Sequence, residues 1–137
     1  MRTVVITELL RRLLNWRIAN MREVITYVAY DDTEFDNLEE CEEYEGKAFE
    51  LLNEFFNAYD FFGKNGEYIW IFLNGVEEGL DAIKYAFDRC EKIRVKKIVS
   101  HEVIELIDSY FGYEMPQNEV GLYEYDWKEL EWVKVDE

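Results

Sequence analysis

Apart from its acids, this chain of 137 residues has few side chains able to do chemistry. His101 is the only histidine, and it follows Ser100, a candidate helix cap, so it reads as exposed. One histidine cannot make the usual zinc site, and neither Cys41 nor Cys90 has a partner at ligand spacing. No nucleophile can be placed beside that histidine to build a serine–histidine–acid or cysteine–histidine set. A glycine-rich phosphate loop is also missing. These residues point away from an enzyme and imply no cofactor and no metal.

The acids carry a different message. There are 31 acidic and 15 basic side chains, a formal net charge of −16. Residues 1–22 hold Arg2, Arg11, Arg12, Arg17 and Arg22 against Glu8 alone, whereas residues 31–60 hold twelve acids against Lys47 alone. Asp31, Asp32, Glu34 and Asp36 cluster at an expected hairpin tip. Oxygen ligands of this kind suit Mg²⁺ or Ca²⁺, but the spacing does not match a calcium loop, so a solvated acidic turn is the simpler reading. Glu39, Glu43, Glu50 and Glu54 recur at helical spacing, interrupted by Lys47, and form a negative line of about four turns. Such a body repels nucleic acid, whose direct binding needs a basic face. Its natural counterpart is a protein with a basic groove, since complementary charge speeds encounter and fixes register. Trp127 and Trp132, with Tyr123, Tyr125, Tyr110 and Tyr113, crowd the last third of the chain. Any of these left exposed would suit a protein interface.

The elements that must position these residues follow from pattern. Residues 7–19 read as a short basic helix with Thr7 as cap, able to dock on its own domain or on a second copy. Residues 23–35 read as a hairpin turning at Asp31-Asp32. Asp36 with Glu39 offers a capping box for a helix running to about residue 58. Its apolar face is Leu38, Cys41, Tyr44, Ala48, Leu51 or Leu52, Phe55 and Tyr59. After the turn Gly63–Gly66, the apolar run Tyr68–Leu73 is the best candidate for a central strand. Residues 76–91 read as a second long helix, with Leu80, Ile83, Tyr85 or Ala86, Phe87 and Cys90 facing inward. Residues 93–99 lean towards a strand, and Ser100 opens a third helix ending at Gly112. Residues 120–126 and 130–135 close the chain as a two-stranded ribbon, with Leu130, Trp132 and either Val133 or Val135 expected inside. The fold expected is α+β: a mostly antiparallel sheet with about three packed helices plus a short N-terminal helix. Residues 1–22 read as a basic helical extension and 23–137 as a single acidic domain.

Two segments resemble a known group. Residues 27–45 match the pattern Tyr-x-Ala-x-Asp-Gly-x-Glu-Phe, Asp, then Glu-Glu-Cys-x-x-Tyr-Glu, except that Asp32 stands at the turn glycine. Gly121-Leu122-Tyr123-Glu124-Tyr125-Asp126 and Glu131-Trp132 match a terminal Gly-Leu-Tyr-x-Tyr-Asp and Glu-Trp. Both are similar to small acidic proteins of phages and prophages, a group with no agreed activity. The resemblance spans about residues 24–137; Met21 opens the matching part, and residues 1–20 read as an extension peculiar to this chain. It implies a phage or mobile-element source and nothing catalytic.

Two functions are therefore expected to compete. In the sharper one, a non-enzymatic phage protein inhibits a host nucleic-acid-handling protein (a CRISPR nuclease, a restriction enzyme or RNA polymerase) by filling its basic groove. Asp31, Asp32, Glu34, Asp36, Glu39, Glu43, Glu50, Glu54, Trp127 and Trp132 would touch that partner. In the other, a small acidic accessory or assembly protein binds through the aromatic C-terminal ribbon or the N-terminal helix. Two reduced thiols point to a cytosolic protein, and the resemblance implies that the cytoplasm is that of a host bacterium. The arginine-broken N-terminus is no secretory signal, and no apolar run is long enough to span a membrane.

Overall fold

Asparagine at position 37 decides where the longest helix begins. Its Oδ1 accepts the backbone N–H of Glu39 at 2.8 Å and of Glu40 at 3.3 Å, satisfying two of the helix's orphan donors. The cap is thus Asn37, one residue later than the expected Asp36, and Glu40 rather than Glu39 takes the third helical position. The computed structural model describes residues 2–7, 23–112 and 114–135. They divide into two units, Met1–Lys47 and Ala48–Glu137, and helix α1 (Leu38–Ala58) contributes residues to both.

In the first unit, β1 (Arg2–Thr7), β2 (Glu23–Val28) and β3 (Glu34–Phe35) form an antiparallel sheet in the order β1-β2-β3. Thr7, read as a helix cap, is the last residue of β1 and pairs with Glu23. The helix expected over 7–19 otherwise lies outside the described residues. The β2–β3 hairpin falls where its pattern placed it, with Tyr27 opposite Phe35 and Val28 opposite Glu34. Asp32 takes the left-handed conformation (φ 69°) where the resemblance has glycine. Aspartate tolerates that region better than most residues. The turn is closed by Ala29 N–H to Thr33 O at 2.9 Å and Asp32 N–H to Ala29 O at 3.0 Å.

The second unit adds β4 (Tyr59–Phe62), β5 (Tyr68–Ile69), α2 (Val76–Arg89), β6 (Lys92–Val95), α3 (His101–Phe111), β7 (Gly121–Asp126) and β8 (Glu131–Val135). Its antiparallel sheet has the order β5-β4-β6-β7-β8. Alternation sends Tyr59, Phe61, Ile93, Val95 and Tyr123 inward, where they are buried. There they join Leu52 and Phe55 of α1, Leu80, Ile83 and Ala86 of α2, and Val103, Ile104 and Ile107 of α3. Aromatic contacts tie the layers: Phe55 stacks on Tyr59 at 4.6 Å, Phe61 meets Phe87 at 5.4 Å, and Phe87 meets Phe111 at 6.4 Å. A Cβ on Gly79 would come within 2.6 Å of Leu73 and 3.3 Å of Leu52, which explains a glycine inside α2. The fold is α+β, as the patterns predict.

Three expectations are corrected. Tyr68–Leu73 is not a central strand: only Tyr68 and Ile69 pair, at the sheet's edge, and Trp70 and Phe72 are 72% and 65% exposed. The inner place belongs to β4, whose Tyr59 had looked like the helix's last apolar position because it lies four residues after Phe55. Leu38 is exposed rather than on the inner face of α1, whereas in α2 the alternatives are resolved: Ala86 is buried and Tyr85 exposed. Leu130 is exposed and left-handed (φ 56°), because the hairpin turn needs that conformation there.

Candidate functional site

The first candidate surface is the acidic face of α1. Glu39, Glu43 and Glu50 are exposed on it, and Glu34 and Asp36 are exposed just before it. Among the described residues, none of these five carboxylates makes a hydrogen bond or ion pair. Like charges at i and i+4 cost an isolated helix a few tenths of a kcal/mol each. The face is held by what lies opposite it: Cys41, Ala48, Leu52 and Phe55 are buried.

Three of the predicted contact acids have work inside the fold. The Glu54 carboxylate accepts the Ser100 backbone N–H at 2.8 Å and the Ser100 hydroxyl at 3.2 Å. Ser100 is the cap of α3 but makes no side-chain cap bond of its own, so Glu54 supplies negative charge at the positive end of that helix. Asp31 accepts the Tyr44 hydroxyl through one oxygen and the Thr33 N–H, at 3.1 Å, through the other. Burial works against its charge, but these hydrogen bonds outweigh it and hold the Asp31 carboxyl below its ordinary range. Asp32 supplies the turn itself.

The motif over residues 27–45 therefore has a structural content. Tyr44 stacks on Tyr30 at 5.7 Å and packs against Phe35 at 5.3 Å. Glu45 accepts the Tyr30 backbone N–H at 2.8 Å, and Ala29 and Cys41 are fully buried. The motif latches the β2–β3 hairpin to the start of α1. Burial raises the Cys41 thiol, keeping it protonated and unreactive.

The second candidate surface is a groove of about 660 Å³ in the second unit, where the β7–β8 hairpin meets the ends of α2 and α3. Tyr125, Trp127, Trp132, Asp88 and Glu114 line it, with Leu130 at the lip. Trp127 is 79% exposed, whereas Trp132 is half-buried and its indole N–H donates to the Glu114 carbonyl at 2.8 Å. The two predicted tryptophans thus share one groove. Composition located them, but not Asp88 and Glu114, which come from other elements.

Sequence reasoning also missed an aromatic edge. Phe62 meets Tyr68 at 5.7 Å and Tyr68 meets Trp70 at 4.6 Å, both edge-on. The continuous apolar run had suggested a buried strand there. The nearby basic island is engaged locally: Lys96 pairs with Asp60 at 3.2 Å, Lys92 stands opposite Glu124, and the Arg94 guanidinium lies 5.8 Å from the Phe62 ring. His101 is exposed and pairs with Glu105 at 2.9 Å. Among the described residues, no group of three or more His, Cys, Asp or Glu side chains is placed to hold a metal ion. None of the described helices is long and apolar enough to cross a membrane. No family model matches the chain, nor does any curated protein or solved structure.

Proposed function

We propose that this chain is a non-catalytic binding protein whose acidic face docks into a basic groove of a nucleic-acid-handling protein and blocks it. One observation carries the reading: Glu34, Asp36, Glu39, Glu43 and Glu50 are presented to solvent with no internal partner among the described residues. A helix bearing such a line imitates part of the charge of a phosphate strand, and the counterions released on docking make the association salt-sensitive. The likeness of residues 24–137 to small acidic phage proteins supports the finer form of the proposal, an inhibitor of a CRISPR nuclease, restriction enzyme or polymerase acting in the bacterial cytoplasm.

The test is capture from bacterial lysate at low salt, elution at high salt and identification of what elutes. A nuclease or polymerase displaced equally by DNA is the expected result. The triple variant Glu39→Gln, Glu43→Gln, Glu50→Gln should lose that capture. Glu54 is left intact because it holds the start of α3. Capture that survives the triple variant, or that resists salt, overturns the proposal. The accessory-protein reading rests on the exposure of Trp127 instead, and there Trp127→Ala would abolish capture while the triple variant would not.

A further inference from the structure

The groove behind Trp127 combines aromatic rings and acid in one place. Tyr125 stands between the two indoles, edge-on to both: its centroid is 4.7 Å from Trp127 at 73° and 5.2 Å from Trp132 at 71°. The Trp132 ring is fixed by its hydrogen bond to Glu114. Trp127 is open to solvent on the other side, at 79% exposure. Leu130, at the lip, holds a left-handed backbone that leucine disfavours. Strained backbone of this kind clusters where a loop is held in a set shape for binding.

The groove's charge is one-sided. It is lined by Asp88 and Glu114 and by no lysine or arginine. Asp88 pairs with Lys84 at 3.2 Å, but the Glu114 carboxylate has no partner among the described residues. Its charge is felt nearby: the Asp108 carboxyl is raised above its ordinary value by burial and then by Glu114. Arg89, next to Asp88 in sequence, is held elsewhere, with its guanidinium 3.8 Å from the Tyr85 ring centre and bonded to the Tyr85 carbonyl at 3.3 Å.

We infer that this groove binds an arginine side chain presented by a partner polypeptide. A guanidinium can stack on the indole faces and direct its N–H groups at the Glu114 carboxylate. Lysine offers a point charge and no flat surface, so arginine is preferred. The inference stands apart from the acidic face of α1 and survives if that proposal fails.

The test uses the full chain and short peptides of sequence acetyl-Gly-Xaa-Gly-amide, in which Xaa is arginine, lysine or the neutral isostere citrulline. The indole N–H signals of the ¹⁵N-labelled protein are followed by NMR, with single Trp→Phe variants assigning them. Arginine peptide should shift the Trp127 and Trp132 signals saturably, lysine peptide should bind several-fold more weakly, and citrulline peptide should not bind. Trp127→Ala should weaken binding about tenfold, and Glu114→Gln about threefold. Trp70→Phe should leave it unchanged. Equal binding of arginine and citrulline overturns the inference. So does a response confined to Trp70, or no saturation by about 10 mM peptide.

Discussion

The latch between Tyr44 and Asp31 makes a stability prediction whose pH dependence has a definite sign. Tyr44→Phe keeps the ring on Tyr30 and Phe35 and removes only the hydroxyl that Asp31 accepts. A hydrogen bond to a charged group contributes about 1.5–3 kcal/mol where it is shielded. Asp31 is exposed, so water screens the pair, and about 1 kcal/mol is expected at pH 7. Asp31 is held below its ordinary value of 3.8, so the fold favours its ionised form. The contribution is therefore complete above that value and is lost as pH falls through the folded one. Urea unfolding of the wild type, Tyr44→Phe, Asp31→Asn and the double variant gives the coupling directly. It should be about 1 kcal/mol at pH 7 and smaller at a pH below the folded value of Asp31, because a neutral hydrogen bond has roughly half the strength of a charge-assisted one. Coupling below about 0.3 kcal/mol at pH 7, or equal at the two pH values, would refute the reasoning.

Further outcomes follow from the same geometry. Phe55→Ala should cost about 3–5 kcal/mol in urea unfolding, since its ring is fully buried and stacked on Tyr59. Gly112→Ala should cost about 1 kcal/mol through the backbone alone, because φ is 67° and an added Cβ would meet nothing within 4 Å. The Cys90 thiol is pushed up to about 11, chiefly by burial, so the native protein should react slowly with a thiol reagent at pH 8 and rapidly once unfolded. The triple Glu→Gln variant of α1 should keep wild-type stability within about 1 kcal/mol: it removes the Glu39–Glu43 and Glu50–Glu54 repulsions but also charges beside Lys47. Thermal unfolding checks that its loss of capture is not loss of fold.

What was legible in the sequence was local. The three helices among the described residues, the β2–β3 hairpin and the terminal ribbon follow from periodicity and turn residues that act within about ten positions. Strand rank in the sheet does not. Tyr68–Leu73 carries a longer apolar run than Tyr59–Phe62, but β4 is inside because it pairs with β6, whose partner residues lie 30 to 36 positions on. Spacing of four hid β4 as a helix turn. The acids were visible in the sequence but their roles were not. Nothing local distinguishes Glu50, which is unpaired, from Glu54, which reaches a helix end 46 residues away. The groove was half legible: its tryptophans lie close in sequence, while Asp88 and Glu114 arrive by tertiary folding.

The edge strand β5 gives the charge a second consequence. Among the described residues it pairs with β4 on one side only, and just beyond it Trp70 and Phe72 stand exposed. A bare edge flanked by aromatics is a template on which a second copy can add strands. At neutral pH the net charge of −16 keeps copies apart. That protection is colloidal and conditional: it vanishes as the pH approaches 4.4, and high salt shortens its range to a few ångströms. The same carboxylates proposed to seek a basic partner thus set the shelf life of the protein alone, and mild acid is where it should begin to precipitate.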